Sequence, residues 1–353
     1  MIKERRFDLD FIRVFSCLCV LIIHFNAALS EWNNGVFVYP NAVFPNYLFR
    51  SVYLGGLGVS MFIMLSGATL SIAHPKGCGK CFKDLLNFYK KRFYAIYPMF
   101  WIAWFAFLSY NLLTYKTMNG APLWHIIFSV CGVDGYMNGL GIGNGEFYQV
   151  GEWFLGCIIL LYAIYPVLDY SIRKRPIVLT LLVLIIYIIL NNILKISNIN
   201  FLLHIPEMLL GMIFVRYLTV RSLRGRLSGM LIVFIIGTVS YRYSEYITDY
   251  FGELTYQIVI SACVFVFLAY LAPIVKSFRL RNVFMSISKY TYAIFLVHHQ
   301  IIYIMVNGFD LSNMPKRVLY TLFISYLIIT GIVAVLLFKT VDLFIIASRK
   351  RRL

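Results

Sequence analysis

Charge is scarce in this chain. Asp, Glu, Lys and Arg make up 13% of its 353 residues, about half the share of a soluble domain, which excludes a conventional solvated globular surface. Acidic residues are scarcer still, 15 against 32 Lys and Arg. The seven cysteines form no even extracellular framework: Cys17, Cys19, Cys157 and Cys263 fall in apolar runs, so a disulfide scaffold is excluded. Cys78 and Cys81 make a single CxxC with no second ligand pair nearby, too few for a zinc site. The chain lacks a repeat period and a low-complexity linker, and so reads as one domain over residues 1–353 with no additional soluble domain. It also lacks a convincing cleavage site. Arg13 interrupts the first apolar run and Asn26-Ala27-Ala28 is a poor signal-peptidase sequence, so the first helix is expected to be retained.

What is present is apolar. Hydrophobic residues account for 61% of the chain and the mean hydropathy is +0.78. The apolar runs approach twenty residues, the length of a transmembrane helix and not of the short alternating strands of a membrane barrel. The predicted fold is therefore an all-α polytopic membrane protein with about ten transmembrane helices. The formal charge of +17 would suit a nucleic-acid partner, but the basic residues come in short clusters between the apolar runs. That is the positive-inside pattern, so the expected partner is a lipid bilayer and not nucleic acid.

The chain divides into ten spans: about 11–29, 52–73, 92–115, 151–170, 177–194, 201–218, 227–243, a span ending near 275, 284–306 and 318–346. With both termini cytoplasmic, roughly four in five Lys and Arg face the cytoplasm. The cytoplasmic loop between spans two and three is expected over 74–91. The longest external loop, 116–150, opens with the apolar piece PLWHIIFSVC and continues as GVDGYMNGLGIGNGEFYQ, too glycine-rich for a stable helix. Span two carries GGLGVSMFIMLSGATLS, small residues dense enough to let helices approach closely. The aromatic share of 17% is explained by interfacial anchoring, Trp124 and Trp153 included.

The chemistry centres on DLDFIRVFSCLCVLIIHFN. Arg13 and His24 are eleven positions apart, close to three helical turns and roughly 16 Å, which sets a cation and an imidazole on one face at different depths. An ionisable residue that deep in a bilayer is a functional hypothesis by default. His298 and His299 stand far along an outward-running span, Glu152 opens span four, and His204 and Glu207 share a face at the start of span six. Acid and imidazole groups from four spans are thus expected at one level near the external face. Toward the cytoplasm stand Arg13, Lys90, Lys91 and Arg92, a set suited to phosphates, whereas Lys80 and Lys83 are read as setting topology alone. A phosphate-bearing donor with a long arm, acyl-coenzyme A, would reach from that mouth to His24. There the imidazole either deprotonates an acceptor hydroxyl or accepts the acyl group itself.

These residues resemble a known family, the integral-membrane acyltransferases of type 3. The Arg-ten-residues-His spacing matches Arg13 and His24. GVSMFIMLSGA at 58–68, RFYAIYP at 92–98, GEWFLGCIILLYAIYP at 151–166 and SKYTYAIFLVHH at 288–299 are similar to the family's runs in order and spacing. Ala95 stands where the family has a second arginine. The resemblance implies O-acylation, commonly with acetyl-coenzyme A as donor and a hydroxyl of a cell-envelope glycan (an exopolysaccharide or its lipid-linked precursor) as acceptor, at the plasma membrane and without a metal. It implies Arg13 and His24 as the central pair, with Arg92 and Glu152 as participants and His298 after them. Catalytic roles are thus expected for His24, Glu152 and His298, donor binding for Arg13, Arg92 and Lys91, and acceptor binding for His299, Glu207 and His204. Two other classes compete. A multi-span transporter of a polar or anionic metabolite would show helix-breaking pairs in two related halves, which are not evident. A glycan polymerase or ligase would be expected to carry large basic external loops, and these are mostly acidic or neutral.

Overall fold

In bilayer hydrocarbon every backbone N–H and C=O must be satisfied within its own segment, so apolar runs of this length fold as helices. The computed structural model describes residues 5–33, 36–38, 42–49, 51–79, 81–116, 122–142, 147, 150–220, 222–307, 309 and 314–350. Lys80, read as setting topology, lies outside the described residues.

The helices in chain order are α1 (Phe7–Ala28), α2 (Leu54–Ala73), α3 (Phe82–Tyr115), α4 (Ile126–Cys131), α5 (Asp134–Gly139), α6 (Glu152–Lys174), α7 (Pro176–Ile188), α8 (Ile205–Ile213), α9 (Leu223–Arg242), α10 (Ser244–Phe251), α11 (Glu253–Val275), α12 (Phe278–Val306) and α13 (Lys316–Lys350). Two small antiparallel ribbons, β1 (Glu31–Asn33) with β2 (Val36–Val38) and β3 (Tyr47–Leu48) with β4 (Val52–Tyr53), occupy the segment between α1 and α2. Among the described residues nine segments are long and apolar enough to cross a membrane. α12 is a further long helix, its first half diluted by Arg279, Arg281 and Lys289. The all-α, polytopic expectation holds.

Three loops differ from expectation. The segment 74–91 is mostly helix, because α3 begins at Phe82, and its 34 residues are about 51 Å long against a hydrocarbon core near 30 Å. KDLLNFYKK lacks helix breakers, and the buried Phe88 stacks on Tyr165 at 5.5 Å, which anchors the added turns. The glycine-rich DGYMNG nevertheless folds as α5, since packing outweighs its weak propensity: an added Cβ at Gly156 would meet the Tyr136 side chain at 2.4 Å. The acidic SEYITDYF is α10, tied down by Asn191 and Asn192, whose side-chain amides donate to the carbonyls of Phe251 and Tyr250 at 2.7 Å each. Those asparagines sit in a π turn, Ile189–Ile193, at the end of α7.

Contacts divide the chain into two compact units, and α1, α3, α6 and α12 supply residues to each. The first comprises residues 1–20, 47–89 and 158–289. Its centre is the crossing of α2 and α8, where the expected small residues allow close approach: a Cβ on Gly67 would lie 2.1 Å from the Met208 carbonyl oxygen, and one on Gly211 1.8 Å from that of Met64. Ser60 on α2 donates to Glu207 on α8 at 2.5 Å inside this seam. A second buried polar group is Asp169, which accepts from Arg173 at 3.0 Å and Arg216 at 2.6 Å. The thiol of Cys78 lies 3.8 Å from the same carboxylate, and all seven cysteines are free. The second unit comprises residues 21–46, 90–157 and 290–353. Its core sets Phe25 against Phe323 and Tyr326 at 5.1 and 5.8 Å, and Phe154 against Phe295 at 5.3 Å.

Candidate active site

Four polar side chains of the second unit converge. His24 lies in the last turns of α1, whose end is fixed two residues on by the buried Asn26. That amide donates to the Phe44 carbonyl at 2.8 Å and to Asn46 Oδ1 at 2.6 Å, and accepts from the Val43 N–H at 3.1 Å. His298 and His299 come from the second half of α12, which Phe295 holds against Phe154 of α6. Glu152 is the first residue of α6 and has a left-handed backbone, φ +42°, directly after Gly151 at φ +106°. For a residue other than glycine that conformation costs on the order of 1–3 kcal/mol, and it persists only where its surroundings over-determine it. Gly135 of α5 supplies part of that constraint: a Cβ there would stand 2.8 Å from the Glu152 carbonyl carbon, so no larger residue lets α5 seat against this turn.

The carboxylate so aimed is the hub of the cluster. Glu152 Oε2 is 3.3 Å from His24 Nε2, and Oε1 is 3.4 Å from His298 Nε2 and 3.6 Å from His299 Nδ1. The rings of His298 and His299 each stand 4.8 Å from that of His24. His298 is fully buried, while His24 and His299 keep 21% and 23% of their side chains exposed, so the cluster is enclosed yet approachable. Tyr303, one turn beyond His299, sets its ring 4.7 Å away and is half exposed.

Hydrogen bonding fixes one tautomer. His298 Nδ1 is 2.8 Å from the Phe295 carbonyl oxygen, which only accepts, so the Nδ1 proton is donated there. Its Nε2 then faces a carboxylate oxygen, and a lone pair against a carboxylate is repulsive unless a positive charge intervenes. The cluster is therefore built to share a proton among Glu152 and its three imidazole neighbours. A divalent cation is the other positive charge that suits such a set: one ligand atom each from His24, Glu152 and His298 lie within 4.8 Å of one another, the donor types of a two-histidine, one-carboxylate centre.

The remaining expected site residues lie elsewhere. Lys91 is exposed and Arg92 half-buried, both on the part of α3 in the second unit. His204 and Glu207 belong to the first unit, where His204 Nδ1 is 2.8 Å from Glu207 Oε2 and its Nε2 is 3.0 Å from the Asn198 carbonyl oxygen. Both are buried, and with Ser60 on the other carboxylate oxygen they form an internal polar latch. Arg13 is also in the first unit, bonded to Asp10 and Ser288. Asp10, Ser288, Asn26 and Tyr303 escape the sequence reading. Asp10 alone left a signal there, as a carboxylate inside an apolar run three residues before Arg13.

Compared with known proteins, the chain matches the family model of the type 3 acyltransferases, described as an acyltransferase domain, over residues 6–339. No curated protein and no solved structure matches it.

Proposed function

The chain belongs to the type 3 acyltransferase family and is a membrane acyltransferase; we propose that it carries an acyl group, most simply acetyl, from acyl-coenzyme A to a hydroxyl of a cell-surface polysaccharide or its lipid-linked precursor. The observation that carries this reading is the Glu152 carboxylate set 3.3 to 3.6 Å from three imidazoles, two of them partly exposed. Such a set can take a proton from an alcohol and hold the resulting charge.

In the proposed reaction His24, whose Nε2 faces Glu152, removes the acceptor hydroxyl proton with its other ring nitrogen, Nδ1, and the oxygen attacks the thioester carbonyl. The C–O ester bond forms as the C–S bond breaks, and the proton passes to the departing thiolate. Glu152 orients His24 and stabilises the imidazolium, as the carboxylate of a hydrolase triad does. His298, with Nδ1 fixed by the Phe295 carbonyl, holds the opposite carboxylate oxygen. His299 and Tyr303, on the more exposed side, would meet the acceptor.

On this reading the donor enters from the cytoplasm of a plasma membrane in which both termini are cytoplasmic. From the sequence, the cations expected at its phosphates are Arg13, Lys91 and Arg92. The distribution of Lys and Arg supports that orientation, and Arg13 and His24 share α1 at a helical separation of roughly 16 Å, within reach of a pantetheine arm.

The experiment is transfer of radiolabelled acetyl from acetyl-coenzyme A to extracted envelope glycan by purified wild type and His24→Ala. Label on glycan with wild type only is expected. Equal labelling by both proteins would remove His24 from the chemistry. Absence of label with either folded protein would count against this donor and acceptor and favour transport.

A further inference from the structure

Arg13 does not stand alone in the structure. Given its reading as a donor-binding cation, on which this proposal rests, the atoms that hold it bear on how a donor is recognised. Asp10, one turn before it on α1, is 2% exposed. Its Oδ1 accepts from Arg13 Nη1 at 3.2 Å, from Arg5 Nη2 at 2.9 Å and from Ser288 Oγ at 2.5 Å, and its Oδ2 accepts from Arg5 Nε at 2.6 Å. Ser288 Oγ in turn accepts from Arg13 Nη1 at 3.1 Å. Arg5 Nη2 also donates to the Met285 carbonyl at 3.0 Å, so the start of α1 is tied to α12 at two points. All these residues belong to the first unit.

The two arginines use Asp10 differently. Arg5 grips it bidentately through its Nε–Nη2 edge, the fork geometry in which guanidinium and carboxylate match best. That pair already balances the Asp10 charge, and Arg6 pairs with Asp8. Asp10 thus meets two arginines with one carboxylate charge, and among the described residues Arg13 has no carboxylate partner of its own. It is held by Nη1 alone. Among the described residues Nε and Nη2 of Arg13 form no hydrogen bond, and its side chain is 26% exposed. The edge left open is the one with which Arg5 binds an oxyanion.

We propose that Asp10 and Ser288 are positioning residues for Arg13: they fix Nη1 from two directions, one on α1 and one on α12, and so present the Nε–Nη2 edge as a preset two-donor fork for a pair of phosphoryl oxygens of the acyl donor. Guanidinium recognises phosphate through such a planar fork, and a fork already oriented loses less rotamer freedom on binding. Ser288 is the discriminating member, since its hydroxyl carries no charge and its removal leaves the Arg5–Asp10 pair intact.

The test compares two donors on the full-length protein in proteoliposomes: acetyl-coenzyme A, and S-acetylpantetheine, which has the thioester arm but no phosphate. Ser288→Ala is expected to raise KM for acetyl-coenzyme A about tenfold with kcat within about twofold, to leave the kinetics with S-acetylpantetheine unchanged, and to be rescued by Ser288→Thr. Asp10→Asn should shift KM in the same direction. Equal losses with both donors would make the contacts merely structural and overturn the proposal. An increase in KM for Arg13→Ala without one for Ser288→Ala or Asp10→Asn would overturn the positioning role while leaving Arg13 as donor ligand. If Arg13→Ala itself leaves KM for acetyl-coenzyme A unchanged, the donor reading of Arg13 falls, and the positioning role with it.

Discussion

His24 Nε2 and Glu152 Oε2 stand 3.3 Å apart although 128 residues separate them in the chain (152 − 24). Neither residue is fully exposed, and each comes from the end of a membrane-crossing segment. An imidazole paired with a carboxylate at this spacing is poised to gain a proton and have the new charge neutralised beside it.

This pairing predicts that Glu152→Gln lowers kcat by about 10²–10⁴, the usual contribution of general acid–base groups, with KM for the donor little changed. His24→Ala should lose at least as much, and the double variant little more, because the two act as a unit. A cation held by Glu152 would take up the carboxylate that must neutralise the His24 imidazolium, so dialysis against EDTA is expected to leave acyl transfer intact. A loss restored by added zinc would instead make His24, Glu152 and His298 ligands.

Gly135→Ala should impair turnover from a distance. The new Cβ would sit 2.8 Å from the Glu152 carbonyl carbon, backbone that cannot swing aside as a side chain does. Overpacking of this kind costs about 1–3 kcal/mol, and here the adjustment falls on the strained turn that aims the carboxylate. The expected result is a reduced kcat with a modest drop in melting temperature, read by enzyme assay and thermal unfolding of the same preparation. Unchanged kcat would show that the position of α5 does not govern Glu152.

Ser60→Ala probes a buried carboxylate of the first unit. It leaves Glu207 with one donor fewer at 0% exposure, a loss of about 1–3 kcal/mol. Because Ser60, Glu207 and His204 lie in the first unit, the variant should be less stable with kcat preserved. A fall in kcat without a fall in stability would give the latch a part in the chemistry.

Alkylation should separate Cys78 from Cys81. Burial first, and then the Asp169 carboxylate, push the Cys78 thiol up to about 12. The thiolate is the nucleophile, and a raised pKa keeps it protonated at every pH below that value. At pH 8, iodoacetamide is therefore expected to label the exposed Cys81 and spare Cys78, as peptide mass spectrometry would show. Unfolding the protein should abolish the difference, since the burial and the Asp169 contact of Cys78 are then lost. Equal labelling of the native protein would contradict the buried setting of Cys78.

The local features of the fold were legible in the sequence. Hydrocarbon forces an apolar run of about twenty residues to be helical, so the spans and the all-α class follow from composition and run length. The eleven-residue spacing of Arg13 and His24 sets both on one helical face for the same reason. Helix ends were less legible. α3 gains ten residues (Phe82 against Arg92) and DGYMNG becomes α5, because packing partners distant in the chain outweigh intrinsic propensity.

The assembly of the site was decided by tertiary structure. Sequence-based depth set His24, Glu152, His298, His299, His204 and Glu207 at one level, but depth says nothing of which helix faces which. The fold gathers the first four around a single carboxylate and gives His204 and Glu207 to Ser60 in the other unit. It also supplies the contacts no local pattern encodes: a left-handed Glu152 held by Gly135, and an arginine held by a serine 275 residues away. Periodicity governs the orientation of a residue about its own helix axis, whereas its neighbours depend on how the helices pack, a property of the whole chain.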